Sequence, residues 1–236
     1  MKFERYKSRF QAGDTLAELI KEDNENLYDL ILEKPSDFFC FAIPNGGVPV
    51  AEGFSAKLKI NYDIIVVRKI KIPWNTEAGF GSITTDGSIL INEPLLEQLS
   101  LSEKELMNSI NLTKNEIQER LDFYSKSKIN LENLYNQFIR DNSIFMIDDG
   151  LASGFTMLAA IKMVKKYNPK KIFIAVPTAP LHTVKRIETE VEIDDIFCPN
   201  IRNVWRFAVA DAYRNWYDVP ESEVLEILKN SNYYKK

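Results

Sequence analysis

Two cysteines in 236 residues, Cys40 and Cys198, are too few and too far apart to build a disulfide framework or a cysteine-based zinc cluster. Each sits in an apolar stretch, Phe39-Cys40-Phe41 and Ile196-Phe197-Cys198, and reads as a buried thiol in a reducing compartment. Histidine is scarcer still: His182, the single copy, follows Thr178-Ala179-Pro180 at an expected helix start and reads as a surface or capping residue. No apolar run approaches the roughly 18 to 20 residues that cross a bilayer. The opening MKFERYKSRF lacks the apolar core of a signal peptide. A cytoplasmic location without membrane contact is therefore expected. Positive charge is not in surplus, since 30 Lys and Arg face 34 Asp and Glu for a formal charge of −4. Without a broad positive field, nucleic acid is not the expected partner. Repeats and low-complexity tracts are missing, and no Gly-x-Gly-x-x-Gly follows a strand, which argues against a dinucleotide-binding enzyme.

What is present suits one α/β domain, because 236 residues at 45% apolar composition suffice for one substantial core. Short apolar runs rich in β-formers, each followed by a turn and a helical pattern, predict parallel strands joined by helices. Strands are expected at 38–43, 64–67, 143–147 and 171–176, with a short fifth at 195–197. Continuous runs such as Ile64-Ile65-Val66-Val67 suit strands covered on both faces. The first strand meets Pro44-Asn45-Gly46-Gly47 and then a helix over 48–58, spaced by Val50, Phe54 and Leu58. Residues 69–91, with Gly79, Gly81 and Gly87, read as a loop or hairpin. A helix follows over 102–124 with Leu106, Ile110, Ile117, Leu121 and Tyr124 on one stripe, and Ser102 with Glu105 at capping-box spacing. A last helix is expected over 220–229, announced by Asp218 and Glu221 at the same spacing.

The chemistry concentrates in 144–156, where a buried strand delivers Asp148 and Asp149, then the small-residue turn Gly150-Leu151-Ala152-Ser153-Gly154, then Phe155 and Thr156 at a helix start. Ligands of open α/β sheets bind beyond the carboxyl ends of the strands. A turn of Ala, Ser and Gly lets backbone N–H groups approach a phosphate, and the helix start adds its positive dipole end. The carboxylates repel that phosphate but accept hydrogen bonds from vicinal hydroxyls. Hydroxyls beside a phosphate describe a ribose phosphate. Taken singly, adjacent Asp residues are turn caps and Ser-Gly is a helix cap. Their order after an apolar strand favours the ligand reading.

This segment resembles the phosphoribosyl pyrophosphate (PRPP) motif of type I phosphoribosyltransferases: four apolar residues, two acidic ones, and a small-residue loop ending in Gly-x-Thr. Further along the chain, Gly46-Gly47-Val48-Pro49-Val50, Val67-Arg68-Lys69, the stretch 77–81 and Ala212-Tyr213-Arg214-Asn215-Trp216 resemble one group within that family. The resemblance implies a type I fold, with a mainly parallel twisted sheet, helices on both faces, a flexible loop and a small hood. It places a single domain over 1–236, with the core at about 36–200 and the hood drawn from the N-terminal region and about 199–236. It implies transfer of phosphoribosyl from PRPP to a nitrogenous base, Mg²⁺ as cofactor, and a homodimer. Asp148 and Asp149 would contact the ribose hydroxyls, serve catalysis and face the metal, and 150–156 would hold the 5-phosphate. Asn45, Gly46, Gly47, Arg68 and Lys69 would face the pyrophosphate, Lys69 would also serve catalysis, and Glu77 is a candidate base. Two departures stand out. Asn45 replaces the family's Arg or Lys before Gly-Gly and brings no charge, which leaves a non-catalytic PRPP or nucleotide sensor as the alternative. Ala152 replaces the acidic residue that 6-oxopurine enzymes use near the base N7, which disfavours hypoxanthine and guanine. The acceptor pocket is expected from the N-terminal region and the aromatic stretch 205–217.

Overall fold

The computed structural model describes residues 3–127 and 129–235. Helices α1 (Arg9–Asp23) and α2 (Glu25–Glu33) precede β1 (Phe38–Ala42), α3 (Gly47–Leu58) and β2 (Asn61–Ile64). Strands β3 (Val67–Ile72), β4 (Asn75–Thr84) and β5 (Ile89–Ile91) follow, then α4 (Glu93–Leu99), α5 (Glu103–Phe123) and α6 (Leu131–Ile139). The chain continues through β6 (Ser143–Ile147), α7 (Phe155–Lys165), β7 (Lys171–Ala175), β8 (Thr178–Pro180) and α8 (Leu181–Glu190). It closes with β9 (Asp195–Phe197), β10 (Asn200–Arg202) and α9 (Glu221–Asn230).

The main sheet has the order β2-β1-β6-β7-β9, every pair parallel, and helices cover both faces. The expected α/β architecture therefore stands. Its reason is visible in β6, where all five residues are buried. Phe145 and Ile147 enter a core shared with Leu16, Ile20 and Phe54, while Ile144 and Met146 enter the opposite core with Leu158 and Ile161. A strand buried on both faces favours apolar side chains throughout, and after Ser143 β6 has no polar one. Because β6 is central, its carboxyl end opens onto the middle of the sheet's edge.

The run 64–67 is not one strand. Ile65 donates its N–H to Ala42 at 3.0 Å, and Val66 exchanges both backbone groups with the Thr85 hydroxyl at 2.7 and 3.1 Å. The chain thereby leaves the parallel sheet after β2 and enters the antiparallel sheet β3-β4-β5, which makes 69–91 a hairpin with a third strand. The Ser102–Glu105 capping box forms as expected at α5. At α9 it does not: Pro220 is the cap residue, without a side-chain hydrogen bond, and Glu221 pairs with Arg120 instead of reaching back to Asp218. Helix α1 packs on α3 and buries Leu16, Ala17 and Ile20 in the main core. Cys40 is buried, whereas Cys198 is half-buried. No helix among the described residues is long and apolar enough to cross a membrane.

Candidate active site

The turn between β6 and α7 begins where the apolar strand runs out. Leu151 stays buried and donates its N–H to the Thr178 carbonyl at 2.9 Å, while the Thr183 hydroxyl donates to the Ala152 carbonyl at 2.6 Å. Gly154 takes φ +73°, a left-handed conformation that a residue with a Cβ adopts only under strain, and a Cβ there would stand 2.7 Å from Thr183 Cγ2. Held this way, Ala152, Ser153 and Thr156 face solvent at the start of α7. Among the described residues, no acceptor engages the N–H groups of Ala152, Ser153 or Gly154. Ser153 Oγ accepts weakly from the Phe155 N–H at 3.4 Å. Open donors at a helix start form an anion cradle.

Next to the cradle lie the two carboxylates, both half-buried. Asp148 Oδ1 accepts the Asp149 N–H at 2.8 Å. Burial first, and then the neighbouring Asp149 charge, push the Asp148 carboxyl well above the usual aspartate range. Asp149 is also raised, by burial, but the Arg9 guanidinium opposes the shift. Two adjacent acids thus share their protons as a pair.

Arg9 reaches this pair from the first turn of α1. Its Nε donates to Asp149 Oδ2 at 2.8 Å and its Nη2 to the Tyr217 carbonyl at 3.0 Å. The guanidinium is 4.3 Å from the Trp216 ring centroid and 5.3 Å from those of Tyr213 and Tyr217. The Tyr213 hydroxyl donates to the Asp149 carbonyl at 2.8 Å. Sequence reading missed Arg9. A signal existed: Arg9 shares the helical stripe of Ala12, Gly13 and Leu16, so a cation stands on a buried apolar face.

The first turn closes on the same point. A Cβ on Gly46 would lie 1.9 Å from Asp149 Oδ2, and one on Gly47 would lie 2.8 Å from the Ile147 carbonyl, so these positions admit only glycine at this approach. The bond between Pro44 and Asn45 is cis, and Asn45 Nδ2 donates to the Val219 carbonyl at 2.8 Å. Asn45, Gly46, Gly47, Asp148, Asp149 and the 150–156 turn are thus brought together.

The structure does not join the other predicted residues to this cluster. Arg68 donates to its own Val67 carbonyl, and burial first, then the neighbouring Arg120 charge, lower its pKa from the ordinary arginine value, with Tyr124 and Glu116 opposing. Lys69 bonds the Glu77 carbonyl across the β3–β4 ribbon, where Glu77 itself is exposed. Beside them on β3, Lys71 pairs with Glu116 at 2.7 Å. His182 is exposed in the first turn of α8. In the aromatic stretch, Trp205 is 98% exposed, whereas Tyr213 is buried against the carboxylates.

The chain matches the family model described as the phosphoribosyl transferase domain over residues 11–212. Two curated relatives from Mycobacterium tuberculosis, "Putative phosphoribosyl transferase MT0597" and "Putative phosphoribosyl transferase Rv0571c", are each 27% identical over 190 residues, covering 80% of this chain. The chain spans 41% of the length of those relatives. Among solved structures, TT1426 from Thermus thermophilus superposes with a TM-score of 0.71 at 23% identity, over 95% of this chain and 97% of that one, which shows a shared fold.

Proposed function

The chain belongs to the phosphoribosyl transferase family, and we propose that it binds PRPP at the β6–α7 turn and transfers the phosphoribosyl group to a nitrogenous base, releasing pyrophosphate. One observation carries the reading: the half-buried Asp148–Asp149 pair stands directly beside a turn whose Ala152, Ser153 and Gly154 N–H groups are open to an anion. The turn takes the 5-phosphate, with the Ser153 and Thr156 hydroxyls assisting, and the acids accept the ribose hydroxyls. Gly46 and Gly47 bring backbone within reach of the leaving pyrophosphate. Loss of pyrophosphate builds negative charge at that end, and preorganised donors stabilise it. Lys69 and Arg68 lie on the β3–β4 ribbon, so they reach the ligand only if the ribbon closes over it, which also excludes water. Glu77 would come with the same movement as a candidate base.

Among the described residues, no group of three or more His, Cys, Asp or Glu side chains converges on a metal. Two carboxylates suit a hard cation that arrives with oxygen ligands and waters of its own. Asp148 and Asp149 would hold Mg²⁺ through hydroxyls or water, and the ion would supply charge neutralisation for the pyrophosphate. The working unit in this reading is a cytoplasmic homodimer, which light scattering on the eluted peak tests.

A second reading, a sensor that binds PRPP without turnover, is favoured by Asn45, whose amide carries no charge and is committed to Val219. Titration calorimetry with Mg²⁺ and PRPP separates both from error. The expected result is micromolar-range binding abolished by Asp148→Asn with Asp149→Asn; equal affinity in the double variant refutes the ribose assignment. Pyrophosphate release across purines, pyrimidines and simple amines then distinguishes enzyme from sensor.

A further inference from the structure

The two ends of the chain meet on Asp149. Arg9, 5% exposed, belongs to the first turn of α1, and Tyr213, Trp216 and Tyr217 belong to the segment before α9. All four lie outside the 11–212 span matched by the family model. Backbone pairing holds the ends together: the Tyr6 N–H donates to Ala212 O at 2.9 Å and the Arg214 N–H to Tyr6 O at 2.8 Å. The site is therefore completed by residues that flank the family domain on both sides.

We propose that Arg9 is a positioning residue for the ribose subsite: it commits Asp149 Oδ2 against the Gly46 turn and leaves the other carboxylate oxygen as the acceptor for a ribose hydroxyl. This inference rests on the PRPP reading above. The geometry argues for orientation in three ways. First, Nε alone touches the carboxylate, a single hydrogen bond and not a two-pronged clamp, so Arg9 takes one oxygen and does not engage the other. Second, the guanidinium cannot swing toward the ligand, since Nη2 is tied to Tyr217 O and the Trp216 ring lies 4.3 Å away. Third, Gly46 packs on the same oxygen that Arg9 holds, so any rotation of the carboxylate drives it into the neighbouring turn. A fixed acceptor loses less entropy when a hydroxyl arrives.

The test compares ligands with and without a ribose on the wild type, Arg9→Met and Arg9→Lys. Calorimetry with Mg²⁺–PRPP and with ribose 5-phosphate is expected to show at least tenfold weaker binding for Arg9→Met. Inorganic pyrophosphate with Mg²⁺, which carries no hydroxyls, should bind within twofold of the wild type. Arg9→Lys keeps the charge but loses the second hydrogen bond and the flat stacking face, and should fall between the two. If Arg9→Met does not fold, Arg9→Lys carries the test, with a three- to tenfold loss confined to the ribose ligands. Unchanged ribose-ligand affinity, or an equal loss for pyrophosphate, overturns the proposal. A wild type that binds neither PRPP nor ribose 5-phosphate overturns the parent reading and this one with it, an outcome distinct from a binding wild type with an indifferent Arg9 variant.

Discussion

Asp63 and Asp149 each meet a cation inside the fold, Lys126 at 2.7 Å and Arg9 at 2.8 Å, yet their surroundings differ. The Asp63–Lys126 pair is closed, with side chains 0% and 2% exposed. Asp63 also accepts the Ile64 N–H at 2.7 Å, and Lys126 sits 5.2 Å from the Tyr234 ring. One acid faces one base at the edge strand β2, and the segment just after α5 is thereby stapled to the sheet. Asp149 instead stands beside a second acid, at the mouth of the central strand, and the turn that follows holds amide donors with no acceptor among the described residues. Opposite charges matched one to one and sealed from water make a structural joint. An acid in excess, partly open to solvent, leaves an acceptor for something else. The lesson is that an ion pair's use is told by its unbalanced charge and its access, and not by its length.

The largest effect that would break this contrast is expected from Lys126→Met. Leaving Asp63 buried without its partner should cost about 3 to 5 kcal/mol in denaturant unfolding, with PRPP affinity of the folded protein unchanged. Combining it with Asp63→Leu should recover most of the loss, because a buried pair replaced by apolar side chains is close to neutral. A single-variant cost near zero would mean that the pair is not a joint.

Next comes Gly46→Ala. A methyl 1.9 Å from Asp149 Oδ2 must push the carboxylate off Arg9. Overpacking should cost about 1 to 3 kcal/mol in stability. Ribose 5-phosphate affinity should fall about tenfold or more, about 1.4 kcal/mol, by calorimetry. Retained affinity would show that Asp149 is not poised by this contact.

A smaller effect is expected in pH dependence. With its folded pKa raised by burial and by Asp149, Asp148 keeps a proton that the unfolded chain has released above about pH 4. The folded state then binds more protons than the unfolded one, so stability falls as pH rises through that window toward the raised value. Asp148→Asn should flatten the decline of Tm with pH in the ligand-free protein. Asp63 is raised as well, mainly by burial, and retains its share of the slope in that variant. An identical profile for Asp148→Asn would contradict the assignment.

Smallest is Ser153→Ala. Removing one exposed hydroxyl donor should weaken ribose 5-phosphate by about 1 kcal/mol and leave unfolding unchanged.

Much of this arrangement could be read from the chain before folding. β6 and β9 lie at 143–147 and 195–197 as expected, and β1 and β7 differ from expectation by one residue. The turn that carries the acids and the open amides was also legible, because its message is local: an apolar strand, two acids, small residues, a helix start. The Ser102–Glu105 cap is local in the same sense. Helices α1, α2 and α6 were not legible, although α6 buries Tyr135 and Ile139 on one face. Their short apolar stripes are weak signals over nine to fifteen residues.

By itself, then, the sequence determined the layered α/β plan and the place where the acidic, small-residue turn forms, since both follow from periodicity and neighbouring residue types. Tertiary structure alone decided which partners the acids would have. Arg9 and Asp149 are 140 residues apart and Asn45 and Val219 are 174 apart, distances over which no pattern of spacing operates. It also divided the 64–67 run between two sheets, through a Thr85 hydroxyl that occupies the backbone of Val66. Contacts of that kind exist only once the sheet has assembled and burial has left each polar group a single place to satisfy itself.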